Sequence, residues 1–136
     1  MSAPDAQRGH AHDVEELRNL GQRYARAVDD RAYDALPTCF TPDAVVEGIR
    51  GTTTIADFVT TLRAAPASNG LHVLGAPLLT FTAGTDAAAL DTYAVVYRWS
   101  DDSPRTTLAV RYLDDVVRTP VGWRIAHRRT VLIWAD

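Results

Sequence analysis

Lysine is absent from this 136-residue chain, and fourteen arginines carry its basic charge apart from four histidines. Schiff-base catalysis and covalent attachment of pyridoxal phosphate both require a lysine amine, so both are excluded. The four serines lie in tail or turn contexts, and the sequence has no G-x-S-x-G nucleophile motif. Glycine-rich phosphate loops are also missing. We therefore expect chemistry without a cofactor.

Cysteine is nearly absent as well. Cys39 is the single cysteine, which excludes an intrachain disulfide and a cysteine-based metal cage. Its apolar context, "LPTCF", is typical of a small buried hydrophobic residue rather than a nucleophile. His10 and His12 form an H-x-H pair, which alone is a poor metal site. We expect no bound metal.

Long apolar runs and excess positive charge are missing too. No segment approaches the roughly 18 apolar residues of a membrane span, and the N-terminus lacks the pattern of a signal peptide. The formal net charge of −3 argues against a nucleic-acid partner. These features predict a cytoplasmic protein with no membrane partner.

The residues that are present divide the chain into helices followed by strands. Residues 1–12 are expected to form a flexible tail, and residues 13–136 a single domain. Asp13 and Glu16 resemble a capping box at the start of an amphipathic helix. A short second helix over about 32–40 is interrupted by proline, and Thr54 with Asp57 caps a third.

From Leu71 onwards the apolar period changes from helical spacing to two. Four long β-rich runs follow, separated by the turn sequences "AGTD", "SDDSPR" and "TPVG". Helices followed by a long antiparallel meander indicate an α+β fold. Strands of this length should twist into a strongly curved, mostly antiparallel sheet. Three N-terminal helices packed on it would make a cone-shaped α+β barrel that encloses a pocket.

Three aspartates stand near the end of the first helix, in "RYARAVDDRAYDAL". At 100° per residue, Asp30 falls on the face opposite the apolar stripe, and Asp34 belongs to the next segment. Asp29 lies about 100° from the stripe centre and is the acid that could reach the interior. It could act in catalysis or simply cap the following turn.

Two histidines lie in the predicted sheet. His72 opens the first long strand, where a pocket mouth is expected, and imidazole titrates near neutral pH as a general base requires. His127 shares strict alternation with Trp123 and Ile125, so it could line a pocket or be a hydrogen-bonded sheet residue. A carboxylate bound to the second nitrogen of His72 would fix its tautomer.

The order of "RYARAVDDRAYDAL", "FTPDAVVEG", "GTTTIADFVTTL", "LHVLG" and "RYLDDVVRTPVGWRIAHRR" resembles the SnoaL-like branch of the nuclear transport factor 2-like superfamily. The resemblance spans about Val14 to Trp134 and implies the same cone fold. It matches Asp29 and His72 with the aspartate–histidine pair of scytalone dehydratase, and places Tyr24 and Trp134 at pocket-lining positions. Val28 replaces the tyrosine that precedes that aspartate in the dehydratase.

This reading predicts a cofactor-free lyase, isomerase or cyclase, of the dehydratase or polyketide cyclase type, acting on a small hydrophobic carbonyl compound. His72 would remove a proton, Asp29 would hold His72, and Tyr24 would donate to the developing oxyanion. The expected substrate-binding residues are mostly apolar or aromatic: Phe40, Phe58, Leu62, Leu74, Val110, Tyr112, Trp123, His127 and Trp134.

Two alternatives remain open at this stage. The chain could be a non-catalytic binding or partner module of the same fold. It could also be a limonene-type epoxide hydrolase, in which an aspartate–arginine–aspartate cluster activates water; Arg111 and Asp91 are opposite charges on adjacent predicted strands. The exposed sheet face suggests a homodimer, the usual arrangement in this superfamily.

Overall fold

The computed structural model describes residues 2–136. Over that range it contains two α-helices and a short 3-10 helix: α1 (Ala3–Asp29), α2 (Ile55–Ala64) and the 3-10 helix Tyr33–Cys39. Seven strands follow or separate them: β1 (Phe40–Gly48), β2 (Gly51–Thr54), β3 (Asn69–Leu74), β4 (Leu78–Ala83), β5 (Ala87–Ser100), β6 (Ser103–Thr119) and β7 (Gly122–Ala135).

Helix α1 is longer than the sequence indicates. It begins at Ala3, where the Ser2 hydroxyl accepts a hydrogen bond from the Asp5 amide. The predicted helix start at Asp13 is therefore wrong, because residues 3–12 belong to the same helix. Met1, the first residue of the predicted flexible tail, lies outside the described residues. Exposed polar side chains dominate this first part, so hydrophobic periodicity begins only with the buried half of the helix.

The other two helical segments follow their local signals. The 3-10 helix contains Pro37, which removes a backbone donor and is poorly compatible with a longer α-helix. Helix α2 begins as predicted, because the Thr54 hydroxyl accepts from the Asp57 amide. Both segments lie against β1, and they cover the sheet beside α1.

The strands form one curved sheet in the order β2-β1-β7-β6-β5-β3, and β4 also pairs with β5. All pairings are antiparallel except that of β1 with β7, which is parallel. The first predicted β-rich run is split into β3 and β4 around residues 75–77. These two short strands pair with different halves of β5. The fold is the predicted α+β cone, with the helices on the concave face.

The core lies between that concave face and the helices. Leu17, Leu20, Leu36, Trp123 and Ile125 have no exposed surface. Burial of a large aliphatic side chain contributes about 1.5–3 kcal/mol, so this core holds the helices on the sheet. No helix within residues 2–136 is long and apolar enough to span a membrane.

Candidate active site

An aspartate and a histidine meet at the wide end of the cone. Asp29 is the last residue of α1, and His72 lies on the concave face of β3. The Asp29 Oδ1 atom is 2.6 Å from His72 Nδ1, and Asp29 Oδ2 accepts a 2.8 Å hydrogen bond from the His72 amide. Only 3% of the His72 side chain and 13% of the Asp29 side chain are exposed. The carboxylate therefore holds both the ring and its backbone.

Burial decides the charge of this histidine. It lowers the pKa of His72 below the ordinary value of 6.5, although the hydrogen bond and the negative charge of Asp29 oppose the shift. The neutral ring therefore predominates near pH 7. With its Nδ1 hydrogen directed to Asp29, the ring has its lone pair on Nε2, as a general base requires.

Tyr24 stands beside this pair on α1. Its ring meets the His72 ring edge-on, with 6.0 Å between the ring centroids. Burial raises the pKa of Tyr24, an effect that the charge of Arg128 only partly opposes. The phenol therefore keeps its proton at neutral pH and stays a hydrogen-bond donor.

Arg128 is a buried cation next to Tyr24 that the sequence did not single out. Its guanidinium carbon lies 4.2 Å from the Tyr24 ring centroid and 4.1 Å from that of Tyr112. Asp114 binds it in a bidentate pair, at 2.7 Å through Nε and 2.8 Å through Nη2. Burial opposes the charged form, but the pair with Asp114 outweighs it and raises the pKa of Arg128.

One nitrogen of the Arg128 guanidinium has no hydrogen-bond partner in the described part of the chain. Among residues 2–136, Arg128 Nη1 is one of two buried side-chain polar atoms without a hydrogen-bond partner; the other is Thr41 Oγ1. An unpaired buried donor costs about 1–3 kcal/mol. This N–H group is buried beside the Tyr24 ring, and its hydrogen-bonding capacity is unused within the described residues.

A single extra residue in β7 explains why the sequence missed Arg128. Asp115 pairs with His127 and Val116 pairs with Ile125, so Ala126 has no partner and forms a bulge. The bulge inverts the alternation, turns Arg128 into the core and turns His127 to the convex face. The prediction that His127 lines the pocket with Trp123 is therefore wrong. His127 instead lies 2.8 Å from Glu47.

The other predicted substrate-binding residues are dispersed. Phe40, Val110 and Tyr112 are buried in the interior around Tyr24 and Arg128, whereas Phe58 and Leu74 are partly buried against the core. Trp123 is fully buried at the narrow end, where its indole nitrogen donates to Asp13 at 3.0 Å, so it is a core residue.

Trp134 is 53% exposed and pairs with Ala109. Ala109 and Tyr93 lie on the convex face, because they alternate with the buried Val110 and Ala94. Trp134 is therefore on the convex face, outside the cone, and the prediction that it lines the pocket is wrong. A second bulge in β7, before Trp134, causes this reversal.

Leu62 lines a cavity of about 170 Å³ beside the Asp29–His72 pair. This cavity opens at the wide end of the cone and includes Val28, which precedes Asp29, and Gly70, which shares the concave face with His72. A Cβ atom on Gly70 would lie 3.6 Å from Asp29 Oδ1, in ordinary contact. Asp29 and His72 do not line the cavity themselves; Gly70, which does, lies against the Asp29 carboxylate.

The epoxide-hydrolase alternative requires a second aspartate at the Arg111–Asp91 pair, and none forms a salt bridge with Arg111 within residues 2–136. Arg111 pairs with Asp91 through Nε at 2.7 Å on the convex face, where the Arg111 side chain is 43% exposed. Asp114 pairs with Arg128 on the concave face. The two pairs are on opposite sides of the sheet, so Arg111, Asp91 and Asp114 do not form an aspartate–arginine–aspartate cluster.

Comparison with known proteins identifies the family. The sequence profile described as "SnoaL-like domain" matches residues 9–129. None of the curated proteins matches the chain. An NTF2-like protein with a cystatin-like fold from Novosphingobium aromaticivorans is 27% identical, with a TM-score of 0.80; the match covers 95% of this chain and 87% of that one.

Two more distant structures share the fold. A protein from Novosphingobium aromaticivorans, proposed to be a scytalone dehydratase, is 15% identical with a TM-score of 0.84, over 93% of this chain and 88% of that one. Hexachlorocyclohexane dehydrochlorinase LinA-type3 from Novosphingobium barchaimii is 16% identical with a TM-score of 0.80, over 99% and 93%. At this identity the likeness concerns the fold.

Proposed function

This chain belongs to the SnoaL-like domain family, and we propose that it is a cofactor-free acid–base enzyme of the lyase, isomerase or cyclase type. Its substrate is a small, largely hydrophobic carbonyl compound of the polyketide, aromatic or steroid kind. The observation that carries the proposal is the 2.6 Å contact between Asp29 and the buried ring of His72.

His72 Nε2 takes a proton from the carbon next to the substrate carbonyl. The electron pair of that C–H bond moves towards the carbonyl oxygen, which becomes an enolate. Asp29 stabilises the imidazolium that forms and keeps the ring in place. In an isomerisation His72 returns the proton to another carbon. In an elimination the bond to the leaving group breaks as the enolate collapses, and His72 protonates that group. In a cyclisation the enolate carbon attacks a second carbonyl, whose π electrons move to its oxygen, and His72 protonates the resulting alkoxide.

Two donors support the enolate oxygen in this proposal. Tyr24 is next to His72 and keeps its hydroxyl proton, and Arg128 has a free N–H group behind the Tyr24 ring. A fixed donor in a site from which water is excluded stabilises developing negative charge without reorganisation. Each donor of this kind is worth about 10²–10³-fold in rate.

The first step is common to all three reaction types, and it can be tested before the substrate is known. The protein is incubated in D₂O with a panel of one- and two-ring ketones such as 1-indanone and 2-tetralone, and exchange at the α-carbon is followed by NMR. We expect accelerated exchange with the native chain, and loss of at least about 10²-fold of it in His72→Ala.

The convex-face histidine provides a matched control. His127→Ala removes an imidazole outside the cone and should leave the exchange rate unchanged. Equal rates in the native chain and in His72→Ala, with both folded by circular dichroism, would contradict the proposal. Tight ketone binding without any exchange would favour the second candidate, a binding module, for which the cavity lined by Leu62 is the supporting feature.

We propose in addition that two copies associate through the convex face of the sheet. Leu71, Val73 and Tyr93 are 47%, 52% and 63% exposed on adjacent strands of that face. Contiguous exposed apolar side chains of this kind mark interaction surfaces. Sedimentation equilibrium should show a dimer for the native chain and a monomer for Val73→Asp, whereas Thr106→Asp on the neighbouring strand β6 should stay dimeric.

A further inference from the structure

Three arginines surround the cavity at the wide end of the cone. Arg31 follows the end of α1, Arg63 is near the end of α2, and Arg98 is near the end of β5; all three line the 170 Å³ space. The remaining wall is largely apolar and small, and includes Val28, Tyr33, Leu62, Ala65 and Pro66. The cavity wall therefore combines apolar and polar surface in similar amounts and is positively charged at several points.

Two of these charges have no carboxylate partner. Arg63 is paired with Asp34, but within residues 2–136 neither Arg31 nor Arg98 forms a salt bridge. Arg31 also donates to the carbonyl oxygen of Ser68, another residue that lines the cavity. With Asp34 paired to Arg63 and the Asp29 carboxylate nearby, the formal charges leave one excess positive charge that an anion would balance.

The position of Arg98 connects this charge to the dyad. Arg98 pairs with Gly70 on the neighbouring strand, and Val96 pairs with His72. Residues 96 and 98 both face the concave side, because they alternate with exposed or convex-face residues along β5. The Arg98 guanidinium also acts on the pKa values of His72 and Tyr24, which agrees with its place beside them.

Arg31 adopts an unusual backbone conformation. It is the one non-glycine residue with positive φ, at 55°, among residues 2–136. Its amide bonds to the Val28 carbonyl and the Ala32 amide to the Ala27 carbonyl, which is the Schellman arrangement at a helix end. Glycine is the usual residue there because a side chain is strained in that conformation. A strained arginine on a cavity wall points to a use for its side chain.

We propose that this cavity binds the carboxylate of the substrate, with Arg31 and Arg98 as its binding residues. A guanidinium presents two parallel N–H groups that match a planar carboxylate. A cavity of about 150 Å³ accommodates benzene, so a one-ring or short-chain acid fits the space. The substrate class becomes a small carbonyl compound that also carries a carboxylate. This inference rests on the proposed function, because a carboxylate held here would orient the substrate with the carbon next to its other carbonyl group towards His72.

Equilibrium binding of two probes of equal shape tests the site. Isothermal titration at low ionic strength compares benzoate with benzamide, which differ in charge. We expect benzoate to bind at least tenfold more tightly, and its affinity to fall at least tenfold in Arg98→Gln and in Arg31→Gly. Arg50→Gln is the control: it removes the same charge from an exposed turn outside the cavity and should bind benzoate like the native chain.

Arg31→Gly protects the test against misfolding, because glycine suits the helix end better than arginine does. Equal affinities for benzoate and benzamide, or unchanged benzoate affinity in both arginine variants, would overturn the proposal. Equal competition by inorganic phosphate would overturn the assignment to a carboxylate.

The two proposals fail separately. A chain that binds benzoate but exchanges no α-protons contradicts only the proposed chemistry. If the native chain catalyses α-proton exchange through His72 but does not bind benzoate, only the proposal of a carboxylate site is contradicted.

Discussion

Two aspartates of helix α1, Asp13 and Asp29, connect the helix to the sheet by hydrogen bonds. They differ in the residues that they bind. At the narrow end, Asp13 accepts from Arg118 at 2.9 and 2.6 Å and from the Trp123 indole at 3.0 Å. At the wide end, Asp29 binds His72 alone, through its ring and its amide. Both carboxylates are largely buried.

The difference lies in the partner. Arg118 is a permanent cation, and its hydrogen bonds lower the pKa of Asp13. Neither side chain of this pair therefore gains or loses a proton near neutral pH. His72 is a titratable ring whose other nitrogen stays available. The same residue type thus serves packing at one end, and at the other end it prepares a neighbour for proton transfer.

The largest expected effect is the loss of α-proton exchange when Asp29 is replaced. Asp29→Asn keeps the shape but removes the negative charge that stabilises the imidazolium and sets its tautomer, so α-proton exchange should fall about 10²-fold or more. NMR exchange rates measure it. Asp30→Asn, on the solvent side of the same helix end, is the matched control and should keep the native rate.

Replacing Asp13 should instead lower the free energy of unfolding. Asp13→Ala leaves the Trp123 indole N–H buried without its acceptor and Arg118 without a partner. Because Arg118 is partly exposed, we expect a loss of about 2–3 kcal/mol in the free energy of unfolding, measured by urea denaturation. Asp86→Ala, which removes the exposed partner of Arg118, should cost much less. A similar loss in both variants would contradict the comparison.

Both activity and stability should depend on pH through His72. Burial lowers the pKa of His72 in the folded chain below 6.5, so the neutral base is present at pH 7. Exchange activity should stay level at neutral pH and fall as the pH drops through the folded pKa. Stability should also decline from pH 6.5 downwards, because the unfolded state binds the proton first. An NMR titration of the His72 ring that gives a pKa above 6.5 would contradict this prediction.

The smallest expected effect concerns stability at the C-terminal end of α1, where Arg31 has a positive φ. Arg31→Gly should be about 1 kcal/mol more stable than Arg31→Ala, since both lose the side chain and only glycine relieves the positive φ. Urea denaturation of the two variants measures the difference. At Asp30, whose φ is −84°, glycine should give no such advantage over alanine.

Much of the architecture could be predicted from local signals. The stripe of Leu17, Tyr24 and Val28 predicted the buried face of α1, and the Thr54–Asp57 cap predicted the start of α2. Alternation predicted the long strands, and the angular position of Asp29 predicted that it is the acid which turns inwards. Each signal lies within a few residues of the element that it describes, so the sequence contains it directly.

The start of α1, the parallel pairing of β1 with β7 and the inward position of Arg128 could not be predicted this way. The bulge at Ala126 depends on how β7 meets β6, and it reverses the side to which His127 and Arg128 point. No local pattern around "IAHRR" marks it.

The sequence by itself determined the helical and strand periods, the caps and the absence of any lysine amine. Only the tertiary structure decided that Asp29 and His72, 43 positions apart, share a hydrogen bond, and that Arg31 and Arg98 face one cavity. The physical reason is that periodicity and capping are short-range, whereas the direction of a side chain in a curved sheet depends on the register with its neighbours.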